Sequence, residues 1–163
     1  MNPKIIPFLW FDNTAEEAIN FYISLFKNSK IESITRYPDN STDEHMKGMS
    51  GKVLTAVFYL NGQKFMALDG GPMFKFSEAV SMYVDCEDQQ EVDRLWGQLS
   101  AGGEIQQCGW LKDRYGLSWQ IIPKQLGEFM NDKDPVKAGR VMQALMQMKK
   151  IEVAKLQEAY ANE

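Results

Sequence analysis

Apolar and polar positions alternate along this chain in a way that predicts short strands and amphipathic helices. From Ile5 to Phe11 the sequence is almost continuously apolar, a run too short for most helices, and it predicts a buried strand. Thr14-Ala15-Glu16-Glu17 then has the form of a capping box, with the Thr14 hydroxyl and the Glu17 carboxylate satisfying exposed N–H groups. Behind it Ala15, Ala18, Ile19, Tyr22, Leu25 and Phe26 fall at helical spacing, so the pattern predicts a helix over 14–26. A strand over 30–37 ends at Pro38, and the polar stretch 39–51 predicts a loop. Strands over 53–60 and 64–68 flank Asn61-Gly62, a strong hairpin signal, and Asp69-Gly70-Gly71-Pro72 interrupts the pattern.

The same order then recurs. A strand over 79–84 precedes Asp88 and Glu91, whose spacing marks a second helix start. Val92, Leu95, Trp96 and Leu99 form the apolar stripe of that helix, and Gly102-Gly103 ends it. Residues 104–112 read as one extended segment, 113–116 as a turn, and 117–122 as a last strand. A shift of 54 positions places Gly62 on Gly116, Phe65 on Trp119, Met66 on Gln120 and Leu68 on Ile122. A shift of 74 places Ala18 on Val92, Tyr22 on Trp96 and Leu25 on Leu99. The economical reading is an internal repeat: an α+β chain of two tandem βαβββ modules, over 3–69 and 77–123, in one domain spanning 1–163. A helical tail follows over 124–163. Asp134-Pro135 starts one helix there and Ile151–Tyr160 carries a second amphipathic segment. Packing of this tail on its own domain and packing on a partner subunit both fit the pattern.

Composition narrows the function classes. The chain has 163 residues, 44% of them hydrophobic and 25% charged, which excludes wholesale disorder. A net charge of −4 without a Lys/Arg cluster argues against nucleic acid as a partner. No apolar run approaches the ~20 residues of a membrane span, so no membrane partner is expected. Met1-Asn2-Pro3-Lys4 leads into only a short apolar stretch, which does not read as a signal peptide. Cys86 and Cys108 are too few for a disulfide framework and fit a reducing, cytoplasmic setting. The one histidine, His45, excludes a site built on two or three imidazoles.

Three stretches carry a family resemblance. They are Phe8-Leu9-Trp10-Phe11 with Glu17-Ala18 and Phe21-Tyr22, then Leu68-Asp69-Gly70-Gly71-Pro72, then the long run from Gly109 through Asp113-Arg114-Tyr115-Gly116 to Pro123. Together they resemble the PhnB-like family of the vicinal oxygen chelate superfamily, whose members have often been labelled 3-demethylubiquinone-9 3-methyltransferase. The resemblance extends into the Met-rich tail, Met142–Lys150. It implies βαβββ modules whose sheets curve around a cup, and commonly a homodimer.

In metal-using relatives, ligands come from the first and last strands of each module. Carried onto this sequence, those places fall on Pro7, Met66, Ala79 and Gln120, and a one-place slip offers Trp10, Leu68, Val80 or Ile121. Only Gln120 can ligate, so no metal and no other cofactor is expected. His45, beside Asp43 and Glu44 in the polar loop, reads as an exposed residue or as an acid–base group on a lid. Asp69 before Gly-Gly reads as a turn former bonding nearby backbone amides, or as a group reaching the cup. Cys86 and Cys108 lack an imidazole partner, and no Gly-x-Ser-x-Gly elbow is present. Neither Gly70-Gly71 nor Gly102-Gly103 stands between a strand and a helix, where a nucleoside-carrying methyl donor is normally held, so the transferase label lacks chemical support.

What the family resemblance implies is a cup, although the residues that line it would also serve to fill a barrel-like core. Its expected inner face carries Leu9, Phe11, Met66, Leu68, Ser81, Tyr83, Ser118, Gln120 and Ile122, with Trp110 at the rim. That lining suits a small flat or apolar ligand held by one or two polar contacts, and the residues expected to bind it are Phe11, Met66, Leu68, Ser81, Tyr83, Trp110, Ser118 and Gln120. The alternative is an isomerase, lyase or dioxygenase of the same fold using Gln120 and a loop residue such as His45. A third reading makes the tail an interaction element and the cup vestigial.

Overall fold

The structure, a computed structural model, describes residues 4–40 and 42–162. Module one runs β1 (Phe8–Phe11), α1 (Ala15–Leu25), β2 (Lys30–Arg36), β3 (Val53–Leu60) and β4 (Gln63–Asp69). Module two runs β5 (Ser81–Cys86), α2 (Gln89–Ser100), β6 (Glu104–Ile105), β7 (Trp110–Lys112) and β8 (Ser118–Pro123). The sheets have matching strand orders, β1-β4-β3-β2 and β5-β8-β7-β6, each with a parallel first pair and antiparallel neighbours. Phe8 pairs with Met66 as Tyr83 pairs with Gln120, so the repeat and its Met66–Gln120 equivalence hold. The chain forms two compact units that divide between Lys75 and Phe76.

In module one the helix packs on the sheet face that carries Leu9, Phe11, Ala56, Phe58, Phe65 and Ala67, and Ala18, Ile19, Tyr22 and Leu25 are buried against it. Phe58 and Phe65 pair in register and stack at 5.5 Å. Asn61 and Gly62 both take positive φ, +48° and +80°, the backbone that a two-residue hairpin turn requires.

The start of α1 departs from the expected capping box. Thr14 occupies the cap position without a side-chain hydrogen bond. Instead Asp69, only 2% exposed, reaches across 54 positions: its Oδ1 accepts from Ala15 N at 2.8 Å and its Oδ2 from Val53 N at 3.0 Å. Its expected role as a carboxylate bonding backbone amides holds, but the amides are distant in sequence. One carboxylate thus starts both the helix and the central strand β3. In module two the helix is capped locally, Asp88 accepting from Glu91 N at 2.9 Å while Glu91 accepts from Glu87 N at 2.8 Å. Val92, Leu95, Trp96 and Leu99 are buried as the stripe predicts. A second buried carboxylate, Asp113, closes the β7–β8 turn by accepting from Tyr115 N, Leu117 N and Trp119 Nε1 at 2.8, 3.1 and 2.9 Å.

Two expectations need correction. Residues 104–112 are not one strand: Cys108 and Gly109 take φ of +57° and +83° and break the run into β6 and β7. The strand expected over 79–84 starts at Ser81, because its extent is set by pairing with β8 and not by the apolar Ala79-Val80.

The break carries the tail, whose helices are α3 (Lys124–Met130), α4 (Pro135–Met146) and α5 (Val153–Ala161). Cys108 N donates to Met148 O and Gly109 N to Lys149 O, both at 2.8 Å. Gln89 clasps the same segment from α2, donating to Ile151 O at 3.0 Å and accepting from Val153 N at 2.7 Å. Val141, Leu145, Met148, Ile151 and Leu156 bury themselves around Ile122 of β8. The tail therefore packs on its own module. Periodicity alone leaves this open because the bonds that fix it come from irregular backbone and one glutamine.

Asp69→Ala leaves two buried N–H groups without a partner and should lower unfolding free energy by about 2–4 kcal/mol, measured by urea denaturation; a loss below about 1 kcal/mol contradicts the clamp. At Gly109 a Cβ would meet Ile122 Cδ1 and Ile151 Cδ1, each at 2.8 Å, on a left-handed backbone. Gly109→Ala should therefore lose about 1–3 kcal/mol, and hydrogen exchange should show the tail amides opening first.

Candidate functional site

The face of the second sheet opposite α2 is assembled by register. Pairing across β5, β8 and β7 sets Ser81, Ser118 and Lys112 in one row and Tyr83, Gln120 and Trp110 in the next, while Asp85 and Ile122 begin a third. Strand spacing places neighbours within a row about 4.8 Å apart, and rows follow at about 6.7 Å along each strand. Five expected ligand residues, Ser81, Tyr83, Trp110, Ser118 and Gln120, thus share one face.

Gln120 Nε2 donates to Ser81 Oγ at 2.9 Å, which orients the amide. Tyr83 is 59% exposed. Partial burial of its hydroxyl, then the charge of Asp85, push the phenol above its ordinary pKa, so it is neutral at physiological pH. Lys112 pairs with Glu78 at 2.5 Å, holding that carboxyl below the usual range, and Gln106 donates to Glu78 at 3.4 Å. The Ser118 hydroxyl is fully buried and, among the described residues, has no hydrogen-bond partner. Ile122 shares the face but is closed off by the tail.

Module one requires a correction. Phe11 pairs with Asp69 and Leu9 with Ala67, so both point toward α1 and are buried there, away from Met66 and Leu68. The β1 residues that share the open face with Met66 and Leu68 are Phe8 and Trp10. The parallel register between β1 and β4 is set by the fold and not by alternation within one strand, so the sequence pattern alone does not assign these faces. Trp10 is held from above by the segment after β4: its Nε1 donates to Gly71 O at 3.0 Å and its ring meets Phe74 edge-on at 4.9 Å.

A polar cleft of about 500 Å³ opens elsewhere in module one, lined by Asn13, Thr14, Glu17, Asn20, Ser50 and Lys52 among others, with Asp69 at its wall. No expected ligand residue lines it. Its charges are committed: Asp69 to two amides, Glu16 to Arg36 through two 2.8 Å bonds, and Lys52 to Asn13 O at 3.3 Å. The open face of module two has the aromatic side chains that the cleft lacks.

The metal-ligand places do not fit a metal ion. The residues that stand side by side there are Phe8 with Met66 and Tyr83 with Gln120, since Pro7 and Ala79 precede their strands. Among the described residues no three His, Cys, Asp or Glu side chains gather to hold an ion. His45 is exposed in the loop after β2, its backbone N–H bonded to Asp43 at 2.8 Å. Cys108 is half-buried, with Sγ 3.6 Å from Leu145 O. Cys86 is buried, and burial pushes its thiol up to about 12. Among the described residues no helix is long and apolar enough to cross a membrane.

A family model described as 3-demethylubiquinone-9 3-methyltransferase matches residues 3–122. A solved PhnB protein from Bacillus cereus is 41% identical, with a TM-score of 0.67 over 74% of this chain and 99% of its own. The chain belongs to the PhnB-like family. Protein PA1353 from Pseudomonas aeruginosa, 21% identical, shares the fold with a TM-score of 0.64 over 76% of this chain and 98% of its own. No curated protein matches the chain. The family match stops at Ile122, so the Met-rich tail, expected to belong to the resemblance, lies outside it. Among the described residues the methyltransferase description meets no strand-to-helix glycine turn: Gly70-Gly71 follows β4 and precedes no helix before β5, and Gly102-Gly103 runs from α2 into β6.

The Cys86 thiol gives a prediction with a definite sign. Its folded pKa of about 12 lies above the ordinary value of 9.0, so the folded state holds the proton more tightly. The resulting stability is fully present below about pH 9 and is lost as pH rises toward 12. Cys86 should resist iodoacetamide at pH 8, and Cys86→Ala should flatten the alkaline fall of the melting temperature. Rapid alkylation of Cys86 in the folded protein would contradict its burial.

Proposed function

We propose that this PhnB-like protein binds a small, flat, largely apolar organic molecule on the open face of its second sheet, without a metal at the family's ligand places. The observation that carries the reading is the row Tyr83–Gln120–Trp110, two aromatic side chains flanking an amide already oriented by Ser81. Aromatic surface with a few placed polar groups is the usual make-up of a small-molecule site. Met66 and Leu68, with Phe8 and Trp10, give module one an apolar open face of its own. Ser118 contributes through packing, since its buried hydroxyl offers no surface to a ligand. An enzyme of the same superfamily would act through the same Gln120, so one variant addresses both readings.

Melting the protein in the presence of single aromatic compounds should reveal members that raise the transition temperature. Gln120→Ala should weaken binding of those compounds ten-fold or more, equivalent to about 1.4 kcal/mol, without lowering the melting temperature of the free protein by more than a few degrees. No stabilising compound, or unchanged affinity in the variant, contradicts the proposal.

A further inference from the structure

The polar groups beside the aromatic row restrict the ligand further, and this step rests on the binding reading above. The Ser81 bond uses one Gln120 N–H. Among the described residues it leaves the amide oxygen Oε1 and the second N–H uncommitted. A carboxamide that presents an acceptor beside a donor matches an edge presenting a donor beside an acceptor, the logic by which glutamine reads a base edge. A ring lactam, with N–H next to C=O, is such an edge.

The surroundings set its size and charge. Tyr83 and Trp110 stand in register on the strands either side of Gln120, at about 4.8 Å each, close to the spacing at which aromatic rings stack. A planar ring standing edge-on over Gln120 would meet one aromatic side chain on each face. Along the strand in one direction lies the Lys112–Glu78 pair, whose opposite charges cancel and favour no ionic ligand. In the other, Asp85 stands exposed beside Tyr83 and disfavours an anion, while the tail buries Ile122, so the strip between the Ser118 and Ile122 rows is about two row spacings long, roughly 13 Å. That length admits one or two fused rings.

We infer that the open face of module two selects a planar, non-anionic heteroaromatic molecule carrying a lactam edge, read by the Gln120 amide between Tyr83 and Trp110. Calorimetric titration with 2-quinolone, N-methyl-2-quinolone and naphthalene tests this directly, because methylation removes only the donor. 2-Quinolone should bind at least ten-fold tighter than its N-methyl form. Gln120→Met should erase that preference while binding the N-methyl form within about three-fold of the parent protein, with the melting temperature confirming the fold. If the two quinolones bind equally, if Gln120→Met keeps the preference, or if naphthalene binds and neither quinolone does, the lactam inference is overturned and the aromatic-site reading stands. If none of the three binds, both fail.

Discussion

Module one is organised by one buried carboxylate. Asp69 ends β4, and its two oxygens serve the first N–H of α1 and the first N–H of β3. Taking a carboxylate out of water costs several kcal/mol unless its oxygens are bonded. Here both are, and the negative charge lies against the positive end of a helix. The main chain adds to the junction: Tyr37 donates its hydroxyl to Asp69 O at 2.8 Å, and Gly70 N bonds Phe11 O at 2.9 Å. Strand, helix and central hairpin are therefore registered against one another at a single point. That register decides which β1 residues share a face with Met66.

The second module solves the same problem differently. Position 123, which a shift of 54 aligns with Asp69, is proline, and α2 is capped by its own Asp88. With no carboxylate needed at the end of β8, the chain turns directly into α3 and the tail packs back over Ile122. The repeat is thus exact in topology and divergent in its fastenings, which is how one module keeps an open sheet face and the other has part of its face covered.

These fastenings explain what the sequence reveals. Strand and helix order, the hairpin at Asn61-Gly62 and the stripe Val92, Leu95, Trp96 and Leu99 were legible because each is a local pattern expressing a local force. The rows of module two were legible too, because Ser81, Tyr83, Ser118 and Gln120 alternate on long strands. Phe11 was misplaced because its facing depends on a parallel pairing across 58 positions, Phe11 with Asp69. The Asp69 clamp on α1 was hidden behind a plausible Thr14 capping box. The docking of the tail was hidden because it is made by main-chain groups of Cys108 and Gly109 and by Gln89, none of which carries a periodic signal.

The central claim, that ligand recognition sits on the Gln120 row and the Asp69 junction is purely structural, is tested most directly by nuclear magnetic resonance. A heteronuclear correlation spectrum recorded during titration with 2-quinolone reports side-chain amides and backbone amides together. The account predicts shifts of the Gln120 side-chain NH₂ and the Trp110 indole N–H, with the Ala15 and Val53 amides unmoved. Shifts confined to Asn13, Asn20 and the Asp69-bound amides would place the ligand in the polar cleft of module one and contradict it.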